Sequence, residues 1–237
     1  MRLLLSPLPD SLRGPEDEAY KGHVPKRARF LEPGAATSLL GLVAAHPWLT
    51  FTDIYRSPES SLAAKRTKRG VQPPGFSAHN FGLAVDLDVG DCLKGGKLRY
   101  PELVENMRQA GWYCHRRDLD QTAMESWHFN FLGPGAAQLI QQADPQAANT
   151  WAWPVEARIV ELYGEAFKLD ALEVQMGLAA LRFYTGDLDG ALGPLAREAV
   201  GAFQRAWGLP DDGVAGPRTR RVLAVVTAEI ELRTVTA

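Results

Sequence analysis

The feature that most limits how this chain can fold is a change of pattern between Gln141 and Pro154. Before it, stretches with apolar residues at helical spacing alternate with stretches of period two, and beyond it the period-two stretches vanish. The segment itself, rich in Gln, Ala, Asp and Asn and closed by Pro154, has the composition of a loosely docked linker. A chain of 237 residues can support two hydrophobic cores. The expectation is therefore an α+β domain over residues 1–143, a linker over 144–154 and a small all-α helical bundle over 155–237.

Within the first part, the opening to about Gly34 lacks periodicity and reads as an extended arm laid over the domain. Ala35 to His46 carries Leu39, Leu40 and Val43 at helical spacing and stops at Pro47, after which Leu49 to Ile54 alternates like a half-buried strand. Pro58 to Gly70 has proline near a helix start and glycine at its end. Leu83 to Val89 sets Val85, Leu87 and Val89 on one face and Ala84, Asp86 and Asp88 on the other, a strand with an acidic face. Pro101 to Ala110 reads as a helix stopped by Gly111, and aromatic strands follow at Trp112–His115 and Trp127–Phe131.

The second part reads as helices over Val155–Phe167, Ala171–Phe183, Pro194–Trp207 and Pro217–Leu232, separated by glycine-rich turns. It contains a short repeat, Asp189-Gly-Ala-Leu-Gly-Pro against Asp212-Gly-Val-Ala-Gly-Pro. In each copy Asp-Gly supplies a tight turn, and Pro194 or Pro217 takes the first helical position, where a missing N–H costs nothing.

Charge and composition remove several classes of function. A formal net charge of -2 gives no global positive field, so nucleic acid is not expected as a partner. The run Leu3-Leu4-Leu5 is closed by Ser6-Pro7, too short for a secretory core, and no stretch reaches the length of a membrane span. Synthesis in the cytoplasm without a visible signal peptide, no membrane insertion and a monomeric state are the expectations. Cys92 and Cys114, with no Cys-x-x-Cys spacing, read as half-buried thiols.

Two of the five histidines stand in unusual company: Ser77-Ala-His79-Asn-Phe-Gly-Leu-Ala-Val-Asp86 and Glu125-Ser-Trp-His128. A catalytic zinc takes three imidazole or carboxylate ligands and keeps one position open for water, a count that His79, Asp86 and His128 meet. Asp86 would project from the polar face of its strand, and a neighbouring antiparallel strand would bring His128 beside it. Glu125, three residues before His128, would face the wrong way on a regular strand and is assigned to the loop before it. Taken singly, each of these residues has an ordinary structural explanation. His115, beside Cys114, is a weaker alternative ligand.

These strings resemble the Ser-x-His-x-x-Gly-x-Ala-x-Asp and Glu-x-Trp-His motifs of the D-alanyl-D-alanine carboxypeptidase and L-alanyl-D-glutamate peptidase family, matching at every motif position. Tyr55-Arg56-Ser57 is similar to that family's Tyr-Arg-Ser segment, and the resemblance spans roughly residues 35 to 132. It implies a Hedgehog/DD-peptidase-like α+β fold and one Zn2+ per chain on His79, Asp86 and His128. It further implies Glu125 as catalytic base, Arg56 as stabiliser of the tetrahedral oxyanion and Ser77 as a substrate contact.

The segment from Val174 to Gln204, with Tyr184-Thr-Gly-Asp-Leu-Asp-Gly190 at its centre, is similar to the helical peptidoglycan-binding domain of wall hydrolases, over roughly residues 170 to 226. One departure is Ala196, where that pattern has Thr; the second copy keeps Thr219. Together the resemblances imply a peptidoglycan hydrolase of endolysin type acting in the cell wall or periplasm. Cleavage at L-Ala-D-Glu or a cross-link is favoured, with D-Ala-D-Ala carboxypeptidase as the alternative. From another class, the rival is a non-catalytic wall-binding protein with a structural zinc.

Overall fold

The computed structural model describes residues 1–67, 71–94, 96, 98–114, 122, 125–134, 136 and 152–235. The chain opens with β1 (Arg2–Pro7), followed by β2 (Phe30–Leu31) and α1 (Pro33–Ala45). The arm expected over residues 1–34 is thus corrected: Leu3, Leu5, Leu8 and Leu12 are buried and supply core. A run of three leucines before proline was too short to show a period, yet burial of its alternate members is what makes it a strand. Helix α1 starts two residues before the expected Ala35, because Pro33 occupies the first turn and the Glu32 carboxylate accepts from the Ala35 N–H at 2.9 Å.

Next come β3 (Phe51–Asp53), α2 (Pro58–Thr67), a 3-10 turn at Ala78–Phe81 and β4 (Ala84–Leu87). The expected strand to Val89 ends two residues early, because Asp88 turns to cap the short helix α3 (Val89–Cys92) through its bond to the Asp91 N–H. Helix α4 (Tyr100–Gln109) leads through Gly111, at φ 91°, into β5 (Trp112–Cys114), and β6 is His128–Phe131. His115 lies outside the described residues, as do the linker residues 144–151.

Among the described residues, the sheet that carries the motifs has the order β3-β4-β6-β5, antiparallel throughout. Its apolar side is closed by Phe51, Val85, Leu87 and Phe129.

Helix α5 (Ala152–Tyr163) is followed by a 3-10 turn at Glu165–Phe167, then α6 (Ala171–Ala180), α7 (Pro194–Ala206) and α8 (Pro217–Val226). The helix expected to run to Leu232 instead gives way to β7 (Glu229–Leu232), which pairs in parallel with β1 in a sheet of order β2-β1-β7. Strands therefore do not vanish from the second part of the chain. The division at 143 and 155 remains a proposal, and packing bears on it. Val155, Ile159, Tyr163 and Val225 belong to the N-terminal core, whereas Val174, Leu178, Phe203, Val222 and Leu223 form a second one.

The repeat has a common internal device. Gln204, 1% exposed, donates to Asp212 Oδ1 at 2.7 Å and the Val214 carbonyl at 3.0 Å, and accepts from the N–H groups of Asp212 and Gly213. Gln175 serves Asp189, Gly190 and Ala191 in the same manner. Thr219 adds its hydroxyl to Gln204 at 3.0 Å; in the first copy, where Ala196 has none, the Tyr184 hydroxyl stands 3.3 Å from Gln175 instead.

Candidate active site

Strands β4 and β6 are in register with Asp86 opposite His128, the neighbour relation expected from their alternation. His128 Nδ1 lies 2.7 Å from Asp86 Oδ1, and His79 Nε2 lies 3.3 Å from the same oxygen. The two imidazole rings are 5.1 Å apart. One ligand atom from each of His79, Asp86 and His128 falls within 4.8 Å of the others.

His79 is not on a strand. It sits in the 3-10 turn that Gly82 ends at φ 66°, and Gly82 N–H closes on the His79 carbonyl. The outward-facing nitrogens of both rings are fixed. His79 Nδ1 is 2.7 Å from the Ile54 carbonyl, which only accepts, so Nδ1 carries the proton and Nε2 turns a lone pair toward Asp86. His128 Nε2 faces Asn130 Oδ1 at 3.1 Å, which leaves Nδ1 as the lone-pair side. In these tautomers two ring lone pairs and a carboxylate oxygen converge on one point.

Such a set is satisfied by a proton or a cation. Burial opposes charge on His79, but the Asp86 carboxylate outweighs it and raises the imidazole's pKa. Burial likewise pushes Asp86 up, while the charge of His79 and the hydrogen bonds that both rings make to it when protonated hold its carboxyl far below the usual carboxylate range. The attraction that draws a proton there draws a divalent cation as well, and two imidazoles with one carboxylate suit zinc.

Arg56 completes one edge. Its guanidinium is held by Asp53, with Nε 2.9 Å from Asp53 Oδ2, and its Nη2 stands 3.9 Å from Asp86 Oδ2. Glu125 lies in the turn before β6 and is exposed, and its carbonyl accepts from the His128 N–H at 3.0 Å. Its φ of 64° is left-handed, uncommon for a residue with a Cβ. The turn is pinned from below by Tyr100, whose hydroxyl donates to the Ser126 carbonyl at 2.7 Å. Ser77 precedes the 3-10 turn by one residue, half-buried and two positions from His79.

Sequence reasoning missed Asp53, Asn130, Asn80 and Tyr20. Asn130 had a signal, since it is two residues from His128 on the same strand face. Asn80 fills an unspecified motif position and donates to the Arg56 carbonyl at 2.7 Å. Tyr20 reaches from the N-terminal segment to the Thr52 carbonyl, and burial, then the charges of Asp53, Asp17 and Asp86, raise its phenol.

Residues 48–134 match the family described as D-alanyl-D-alanine carboxypeptidase. They form a domain of that family. Residues 169–223 match the peptidoglycan binding domain family, so the carboxypeptidase-family domain is followed by a module of the expected kind. A D-alanyl-D-alanine carboxypeptidase of Enterococcus faecalis is 33% identical over 86 residues, covering 34% of this chain and 32% of the relative. The N-acetylmuramoyl-L-alanine amidase CwlM of Mycobacterium tuberculosis is 38% identical over 69 residues, covering 29% and 16%. A spore cortex-lytic enzyme of Bacillus cereus is 41% identical over 58 residues, covering 24% and 22%. The chain thus spans a third or less of the length of each of these relatives. Among solved structures, the LD-carboxypeptidase LdcB aligns with TM-score 0.43 at 21% identity, covering 61% of this chain and 77% of that one. The vancomycin-resistance D,D-dipeptidase VanXYg, solved with a D-Ala-D-Ala phosphinate analogue, aligns with TM-score 0.38 at 18% identity, covering 58% and 63%.

Proposed function

We propose that this protein is a zinc-dependent peptidase that hydrolyses a peptide bond in the stem peptides of peptidoglycan. The observation that carries the reading is the convergence of three metal-ligating atoms, from His79, Asp86 and His128, beside Arg56 in a carboxypeptidase-family domain. When bound there, zinc supplies Lewis acidity toward a carbonyl and a water of lowered pKa.

The chain's own residues divide the remaining work. The Ile54 carbonyl and Asn130 hold the two imidazoles in the tautomers that turn a ligating nitrogen of each toward Asp86. Glu125, exposed on a turn that two backbone bonds and Tyr100 keep in place, is the general base that takes a proton from water and returns it to the leaving amine. Arg56, its guanidinium oriented by Asp53, offsets negative charge developing on the scissile carbonyl oxygen. Ser77, on the loop of His79, contacts the substrate.

The bond favoured is internal to the wall polymer, L-Ala-D-Glu or a cross-link, because a binding module raises the local concentration of bonds in an insoluble substrate. The second reading, removal of a terminal D-Ala, is favoured by the family description itself. Mass spectrometry of purified peptidoglycan after digestion separates them. Split stem peptides or opened cross-links support the first, loss of single D-Ala residues the second, and an unaltered wall refutes the peptidase reading.

A further inference from the structure

We infer that Arg221, on the helical module, is a positioning residue for the loop that carries His79, so that the module is built into the peptidase site and is more than a tether. Arg221 is only 8% exposed, unusual for an arginine, and its side chain leaves the module to enter the first domain. Its Nε donates to the Gly75 carbonyl, and its two terminal nitrogens grip the Glu156 carboxylate of α5, one of them at 3.0 Å. The guanidinium is boxed by aromatic faces: ring centroids of Phe76, Phe167 and Phe81 lie 4.5, 4.9 and 5.8 Å from its carbon.

From Gly75 the connection runs on without a gap. The Gly75 N–H donates to Asn80 Oδ1 at 3.0 Å, and Asn80 Nδ2 donates to the Arg56 carbonyl at 2.7 Å and to Ser61 Oγ at 2.8 Å. The Arg56 N–H in turn donates to the His79 carbonyl at 3.2 Å. Gly75, at φ 83°, lies directly under α8, where a Cβ would sit 3.3 Å from Val225. The loop from Gly75 to Asn80 has no ladder of its own to hold it, and the module supplies one end of its support. Without the Arg221 fork, the Gly75 carbonyl and Glu156 lose a charged partner, and any shift of the loop passes through Asn80 to both His79 and Arg56.

The inference rests on the reading of His79 and Arg56 as site residues. Its test uses the full-length chain and a soluble stem peptide, so that attachment to the wall contributes nothing. Arg221→Ala and Arg221→Lys are compared with Val222→Ala, which loosens the same helix from the module's core without touching Gly75. All are assayed well below their unfolding temperatures, reading kcat, KM and zinc affinity by competition with a chromogenic chelator. Arg221→Ala should lower kcat by about 10-fold to 100-fold and weaken zinc binding, as small misplacements of catalytic groups do. Arg221→Lys, which keeps the charge and loses the fork, should lie between that variant and wild type. Val222→Ala should melt earlier at unchanged kcat. Arg221 variants with wild-type kcat and zinc affinity overturn the inference, as does a Val222→Ala loss of kcat equal to that of Arg221→Ala. Where Arg221→Ala fails to fold, wild-type behaviour of Arg221→Lys overturns it. If the wild type itself neither binds zinc nor cleaves, it is the peptidase reading that fails.

Discussion

Gly82 and Gly96 share a backbone angle, φ 66°, but not a neighbourhood, and the pair offers a controlled test of how tightly the His79 loop is seated. A Cβ at Gly82 would lie 2.6 Å from the Glu32 nitrogen, 2.8 Å from the Leu31 carbonyl carbon and 2.8 Å from Leu5 Cδ2; at Gly96 it would meet nothing among the described residues within 4 Å. Two of the three clashes at Gly82 are with backbone at the start of α1, which no rotamer change relieves. Alanine in the left-handed region costs roughly 1–2 kcal/mol at each site. At Gly82, overpacking adds about 1–3 kcal/mol, and stretching the 2.9 Å bond from Glu32 N–H to the Gly82 carbonyl adds about 1 kcal/mol. Gly82→Ala should therefore lose about 3–6 kcal/mol and Gly96→Ala about 1–2 kcal/mol. In calorimetry that is about 6–24 °C against about 2–8 °C, at about 2–4 °C per kcal/mol for a chain of this size. Equal losses would refute the claim that backbone crowding, and not handedness alone, demands glycine in this motif.

Exhaustive chelation should abolish hydrolysis and added zinc restore it, and Ala at His79, Asp86 or His128 should lose metal and activity together; full metal occupancy in any of these variants, by elemental analysis, removes that residue from the ligand set. Glu125→Gln should keep zinc while kcat falls by about 10²- to 10⁴-fold, and metal loss would make it a ligand instead. Gln204→Leu, which strips five hydrogen bonds from the second Asp-Gly turn, should destabilise the module by about 3–4 kcal/mol and speed amide exchange at Gly213, whereas unchanged exchange would show the turn holds itself. Replacing Cys92 and Cys114 together by Ser should leave zinc content and rate intact. Native Cys92, whose thiol burial pushes up to about 11, should resist alkylation at pH 8, and rapid labelling would contradict its burial.

The site was legible where chemistry coincides with period. Alternation along Ala84–Leu87 and His128–Phe131 put Asp86 and His128 on facing polar positions, and the strands pair in that register. The same reasoning fails where two segments meet with no shared pattern. Ile230 and Leu232 do alternate with Glu229 and Glu231, but both are more than half exposed, and the alternation follows directly on helical spacing and is absorbed by it. The part that Gln175 and Gln204 play in holding the Asp-Gly turns was not legible for a different reason. Gln175 precedes its aspartate by 14 residues and Gln204 by 8, so the repeat seen in the turns does not extend to their partners. Asp53 was an isolated charge three residues before Arg56, and only the bend after β3 folds it back onto the guanidinium.

The parallel pairing of Arg2–Leu5 with Glu229–Leu232 also fixes an order of events during biosynthesis. Strand β1 is made well before its partner β7, from Arg2 to Glu229, so at about 5–20 residues per second the two meet only after about 10–45 s of further elongation. Through that interval Leu3 and Leu5, buried in the finished fold, lack the cover that β7 brings. Closure of so long a loop is slow, and the half-made sheet presents an open edge to other chains in the meantime. Yield from a cell should accordingly respond to translation rate and to chaperones that cover apolar edges, even where the finished molecule is stable.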